Sequence, residues 1–352
     1  MRALLFALIV CSLPLWAHAA PCVSATSECE RWLELKPGER AMAYATRPLD
    51  QPDPSVRRAL IMVHGTLRNA DHYFASATAA GFIADALDDT LIIAPAFHSA
   101  DPHCGDKLAP GEVSFSCDGD SWRSGGGASS DPKLTSFDFT DALLRRLADK
   151  RLFPNLKVIV VAGHSAGGQF VARYAMASRV ADGLGVDVRF VVANPSSYAW
   201  PDATRLVAEG VGSPAAAAVA WKDETPHAGF VFGPFDAAKA PGYDQWPYGL
   251  EDRTGGYTAG MSDDDLRRNL AHRDVTFLLS QVDTLPLGGF DASPRSMAQG
   301  ATRRQRGEAF VQHIRQSLGA KAPVIIVPEC GHNDRCVYTT DQVLPVIFPP
   351  AQ

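Results

Sequence analysis

The chain has 352 residues, of which 46% are hydrophobic and 20% charged, and its formal net charge is −6. This is ordinary globular composition, in a chain long enough to bury a core without a structural metal or cofactor. A mildly acidic chain also lacks the electrostatic footprint of a nucleic-acid binder.

The N-terminus reads as a signal peptide over residues 1–19. Arg2 precedes an apolar run over 3–16, broken by Ser12 and Pro14, and Ala17-His18-Ala19 supplies small residues at a cleavage site. The run is short for a membrane span. Neither Cys11 nor Cys22 follows a small residue, which argues against a lipid-anchored cysteine. The expectation is a secreted or periplasmic protein without a stable membrane anchor. With Cys11 set aside, six of the seven cysteines remain, in sequence-local pairs: Cys22 and Cys29, Cys104 and Cys117, Cys330 and Cys336. Six cysteines allow fifteen connectivities, so pairing by proximity is a hypothesis, favoured in an oxidising compartment. No pair has zinc-site spacing with a matching partner pair.

Arg31 to Thr46 reads as a hairpin around Pro37-Gly38. Short, mostly apolar runs then recur at Ala59–Val63, Thr90–Ala94, Leu156–Ala162, Val188–Ala193, Val275–Ser280 and Pro323–Val327. Such runs suit parallel strands covered on both faces. Helical patterns lie at Phe137–Leu147, Gly167–Ala177 and Arg303–Leu318. Alternating strands and helices predict an α/β fold, a doubly wound and mostly parallel sheet, over residues 20–352. Two segments break the alternation. Pro95–Pro132 is glycine-rich and irregular; Ser196–Arg273 is too long for a crossover and reads as an inserted cap or lid, with Ala215–Ala218 as a short helix within it. Pro286–Ala301 reads as an exposed linker.

Gly163-His164-Ser165-Ala166-Gly167 carries the chemistry. The bare Gly-x-Ser-x-Gly pattern arises by chance about 0.1 times in such a chain. Here it closes an apolar strand and opens a helix, the context a nucleophile elbow requires; a helix-capping serine is the plainer alternative. Ser165 is the candidate nucleophile, and the Ala166 amide one oxyanion donor. His64-Gly65-Thr66 ends the first strand, so the Thr66 amide is the second donor, with Leu67 beside it. His332 follows the last strand and is the candidate base; a Cys330–Cys336 bridge would hold its loop. Asp283 follows the fifth strand and is the candidate acid that orients the imidazole. Asp291 is the reserve, and Asp334 lies too close to His332 in sequence to face the ring edge. Ordinary surface histidines and turn aspartates are the plain readings of these positions. His64 and His164 read as structural, although His164 lies close enough to the elbow to reach substrate.

These pieces, with His64 to Ala70 and Gly163 to Gln169, resemble the α/β-hydrolases, similar to secreted bacterial lipases and esterases, from about Arg57 to Pro345. The resemblance implies the fold and the triad chemistry of a serine hydrolase, and supplies no substrate; the reading taken is a hydrolase of carboxylic esters, small or polymeric, that needs no cofactor or metal. The oxyanion loop lacks the His-Gly-Gly-Gly run of many esterases. A serine peptidase on the same fold and a non-catalytic binding protein are the other readings. Leu67, Trp122, His164, Asn194 and Tyr198 are the candidate substrate contacts. Trp200, Trp221, Trp246, Tyr243, Tyr248 and Tyr257 would either line a pocket or form the insertion's own core.

Overall fold

The computed structural model describes residues 20–119, 121–207, 222–227, 229–253 and 255–351. The signal-peptide segment 1–19, the Ala215–Ala218 helix and Trp221 lie outside the described residues. In chain order the strands are β1 (Glu30–Lys36), β2 (Glu39–Ala45), β3 (Arg58–Val63), β4 (Thr90–Pro95), β5 (Val158–His164), β6 (Asp187–Ala193), β7 (Thr204–Leu206), β8 (Phe232–Pro234), β9 (Asp274–Ser280) and β10 (Val324–Val327). The helices are α1 (Ala70–Ile83), α2 (Ser136–Ala148), α3 (Ala166–Ala177), α4 (Asp263–His272), α5 (Pro294–Met297), α6 (Arg303–Leu318), α7 (Asp334–Tyr338) and α8 (Leu344–Ile347).

Eight strands form one sheet in the order β1-β2-β4-β3-β5-β6-β9-β10. β1 and β2 form the expected antiparallel hairpin, β2 runs antiparallel to β4, and the other pairings are parallel. Alternation along each strand feeds two cores. Ala59, Ile61 and Val63 face the layer carrying α2, α3, α4 and α6, while Leu60 and Met62 face α1, α7 and α8. This is a doubly wound α/β fold. Thr135 and Asp138 form a capping box at the start of α2, and Thr302 caps α6 through the Gln305 N–H.

The sheet's strand order reverses between β3 and β5, which are adjacent although β4 lies between them in sequence. Crossovers on the two sides therefore depart in opposite directions and leave a crevice at the strands' C-terminal edge. The loops after β3 and β5 open into it.

Within 196–273, β7 and β8 pair as a small ribbon and α4 joins the main layer. The segment's aromatics are mostly core. Tyr198 stacks on Phe310 at 4.3 Å, Trp200 stacks on His313 at 5.1 Å, and the Tyr257 hydroxyl donates to buried Asp141 at 2.7 Å. Trp246 donates from its indole to the Ser124 carbonyl at 3.1 Å. The sulfurs of Cys22 and Cys29, Cys104 and Cys117, and Cys330 and Cys336 lie at bonding distance, in the pairing by proximity.

Candidate active site

Ser165 is the residue between β5 and α3. Its backbone sits at φ 60°, ψ −120°, a region that costs a non-glycine residue about 1–3 kcal/mol and persists only where the surroundings enforce it. Here glycines enforce it by letting main chain pass at contact distance. A Cβ on Gly163 would lie 2.4 Å from the Gly167 carbonyl oxygen, and one on Gly167 would lie 2.3 Å from that of Val63. The turn therefore nests against the end of β3, and the Ser165 N–H donates to the Ala193 carbonyl at 2.9 Å.

Asp283 lies three residues past β9 and His332 five past β10, on neighbouring strands whose ends pair as Ser280 with Val327. The three side chains form a continuous line. The Ser165 hydroxyl donates to His332 Nε2 at 2.9 Å, and His332 Nδ1 donates to Asp283 Oδ2 at 2.8 Å. The carboxylate acceptor fixes the tautomer that leaves Nε2 free to accept. Asp283 is buried, and its other oxygen lies 3.4 Å from the Arg303 guanidinium. The reserve acid, Asp291, instead accepts from the Tyr248 hydroxyl at 2.7 Å. Asp334 is engaged elsewhere, accepting from Ser76 at 2.7 Å and pairing with His72 at 3.1 Å. That contact ties the His332 loop to α1.

Among the described residues, neither the Thr66 nor the Ala166 amide donates to a protein acceptor. Ala166 opens α3, where first-turn amides have no partner within the helix. The loop carrying Thr66 is set by His64. The Phe97 N–H donates to His64 Nε2 at 3.2 Å, so Nδ1 carries the proton and donates to the Gly65 carbonyl at 3.0 Å. Full burial pushes the His64 imidazole down to about 3. Gly65 leaves room for Tyr73: a Cβ there would lie 2.7 Å from the Tyr73 hydroxyl, which would have to shift.

A cavity of about 500 Å³ opens over Ser165, lined in part by Thr66, Leu67, His72, Gly288, Gly289 and His332. His164 also lines it, its ring tilted against that of His332 at 4.5 Å. Burial, then the neighbouring His332 and Arg303, holds the His164 imidazole well below its usual range, so it stays neutral. No described residue of 196–273 lines this cavity.

Of the candidate substrate contacts, Leu67 and His164 reach the cavity, and the other three lie elsewhere. Trp122 is packed beneath the loop that follows β3, 4.8 Å from His64 and 5.4 Å from Phe97. Tyr198 is in the core. Asn194 joins two strand ends: its amide donates to Ser280 Oγ at 2.7 Å and its carbonyl accepts the Ser280 N–H at 2.8 Å. Each follows a strand or sits on an irregular loop, but its side chain points inward. Sequence reading missed Arg303, Gly288, Gly289, Tyr73 and His72. Only Arg303 carried a signal. Thr302-Arg303-Arg304-Gln305-Arg306 puts three cations in the first turn of α6, against the helix dipole.

The model of the alpha/beta hydrolase family matches residues 60–344. No curated protein matches the chain significantly in sequence. Among solved structures, the chain is similar to poly(aspartic acid) hydrolase-1 from Sphingomonas sp. KT-1, with 20% identity over 88% of this chain and 94% of that one and a TM-score of 0.57. It is also similar to LpqC, a poly(3-hydroxybutyrate) depolymerase from Bordetella parapertussis, with 18% identity over 90% and 93% and a TM-score of 0.57.

Proposed function

Because the chain belongs to the α/β-hydrolase family, we propose that it is a secreted serine hydrolase cleaving carboxylic esters, with Ser165 as nucleophile, His332 as base and Asp283 as the orienting acid. The observation that carries this is the unbroken hydrogen-bonded line from Asp283 through His332 to the Ser165 hydroxyl, at 2.8 and 2.9 Å. Support for export comes from the apolar N-terminal run and the three cysteine pairs. Among the described residues no helix is long and apolar enough to cross a membrane.

In this reading His332 Nε2 takes the Ser165 proton as the oxygen attacks the ester carbonyl carbon. The carbonyl electrons move onto oxygen, where the Thr66 and Ala166 amides receive the charge. The intermediate collapses, the alkoxide leaves with the proton from His332, and an acyl-serine remains. Water then attacks that acyl group, giving a proton to His332; as this intermediate collapses His332 returns the proton to the departing Ser165 oxygen, and the acid leaves. Asp283 accepts from His332 Nδ1 and stabilises the imidazolium. Buried Asp283 and the neutral His164 hold the base between a fixed charge and a flat ring.

The test is Ser165→Ala, assayed on a short-chain aryl ester. Turnover should fall by about 10⁴-fold or more, and a fluorophosphonate should label the parent protein but not the variant. Turnover close to that of the parent would sink the mechanism. A panel of aryl esters, aliphatic polyesters and peptides separates ester from amide hydrolysis.

A further inference from the structure

Arg303 opens α6 with its side chain wholly buried, and its fork is divided between two parts of the site. Nη1 lies 3.4 Å from Asp283 Oδ1 and donates to the Leu287 carbonyl at 2.7 Å. Nη2 donates to the Gly288 carbonyl at 2.7 Å, and Nε to Ser196 Oγ at 2.8 Å. Leu287 and Gly288 belong to the strand of loop that forms one lip of the cavity. A Cβ on Gly288 would lie 3.4 Å from His332 Cδ2, so this main chain runs beside the base with room for a methyl between them.

The neighbouring arginines are used differently. Arg304 pairs with Glu308 at 3.0 Å and reaches the Gln281 carbonyl at 2.8 Å. Arg306 donates to the Gly300 and Asp291 carbonyls at 2.8 and 2.9 Å. Among the described residues, His332 and Arg303 are the side chains recorded on the Asp283 carboxylate. While His332 is neutral, Arg303 is thus the carboxylate's cationic partner in a buried setting, where an unpaired charge is costly.

We propose that Arg303 is a positioning residue for the reaction, resting on the assignment of Ser165, His332 and Asp283 above: it holds the Asp283 carboxylate in register and pins the lip that runs beside His332. Its cation stands beside the carboxylate that His332 faces, while its two carbonyl contacts set the distance between the base and the cavity wall. The other titratable groups facing the His332–Asp283 pair are His164 from the elbow, Tyr198 after β6, and Asp334 with His72 on the outer side. Burial keeps His164 and Tyr198 neutral, so they add no competing charge.

The experiment compares Arg303→Met and Arg303→Lys with the parent protein. Each is normalised by fluorophosphonate labelling, and kcat and KM for a short-chain aryl ester are followed across pH. In Arg303→Met the acid limb of kcat/KM should move up by about one pH unit, and KM should rise about tenfold as the lip loosens. Arg303→Lys restores the charge but not the fork. Its acid limb should return toward that of the parent while KM stays raised. If Arg303→Met does not fold, Arg303→Lys still tests the lip: a KM equal to the parent's would overturn the proposal. Parental limbs and KM per labelled site in both variants would reduce Arg303 to a structural residue. Absence of Ser165-dependent labelling in the parent would instead remove the hydrolase reading, and this proposal with it.

Discussion

His64 illustrates what one buried side chain does to a site it does not enter. Its tautomer is fixed by the Phe97 amide, and its proton aims the Gly65 carbonyl, so the loop carrying the Thr66 amide has one conformation. The folded imidazole is depressed from 6.5 to about 3 by burial. Between those values the unfolded chain binds the proton and the folded one does not. Stability is therefore full above pH 6.5 and falls by about 1.4 kcal/mol per unit as pH drops toward 3. Replacing His64 with Gln should remove that slope. The loss of stability between pH 6.5 and 5, read from urea midpoints, should shrink by about 2 kcal/mol, and an unchanged loss would refute the assignment. The side chains of Ser165, Asp283 and His332 were legible because each sits just past a strand that the sequence marks. Arg303 was hidden because a charged residue at a helix start reads as solvated. Trp122, Asn194 and Tyr198 misled for the converse reason: position after a strand does not say which way a side chain points.

At the scale of elements, the six parallel strands were visible as apolar runs, and their observed ends differ from the expected ones by a residue or two. α1 was missed. Its sequence, Ala70-Asp-His-Tyr-Phe-Ala-Ser-Ala-Thr-Ala-Ala-Gly-Phe-Ile, is apolar and small on most sides, with no stripe to count. α4 was missed because it lay inside a segment read as an insertion, although Ser262 caps it and Leu266 and Leu270 are its buried face. The elbow was the most legible element, since its glycines answer to contacts rather than to taste. Gly167→Ala would place a methyl 2.3 Å from the Val63 oxygen, main chain that cannot yield. The variant should lose about 3 kcal/mol of stability, measured by denaturant unfolding, with labelling of Ser165 reduced in the folded fraction. Wild-type stability and labelling would mean the turn is looser than its geometry implies.

Over the whole molecule, the reversal of strand order between β3 and β5 decides where chemistry gathers, because every candidate group leaves the same edge of the sheet. That much followed from alternation of strands and helices; the order itself did not, since apolar runs carry no record of their neighbours. Three cysteine pairs with sulfurs at bonding distance span short stretches, with sequence separations of 7, 13 and 6. Loops of this length each contribute about 2–3 kcal/mol. Reduction should lower the melting temperature and, through Cys330–Cys336, cut hydrolase turnover at temperatures where the fold survives. Calorimetry and turnover with and without a thiol reductant would check both, and identical curves would argue against the bridges. The mouth of the cleft has a consequence of its own. One side comes from Thr66 and the other from Gly289, which has a positive φ and no side chain, and a Cβ there would stand 3.3 Å from the Thr66 methyl. The aperture is thus gauged by a missing methyl group, and the bulk of what may enter is written in two residues that never touch the bond being cut.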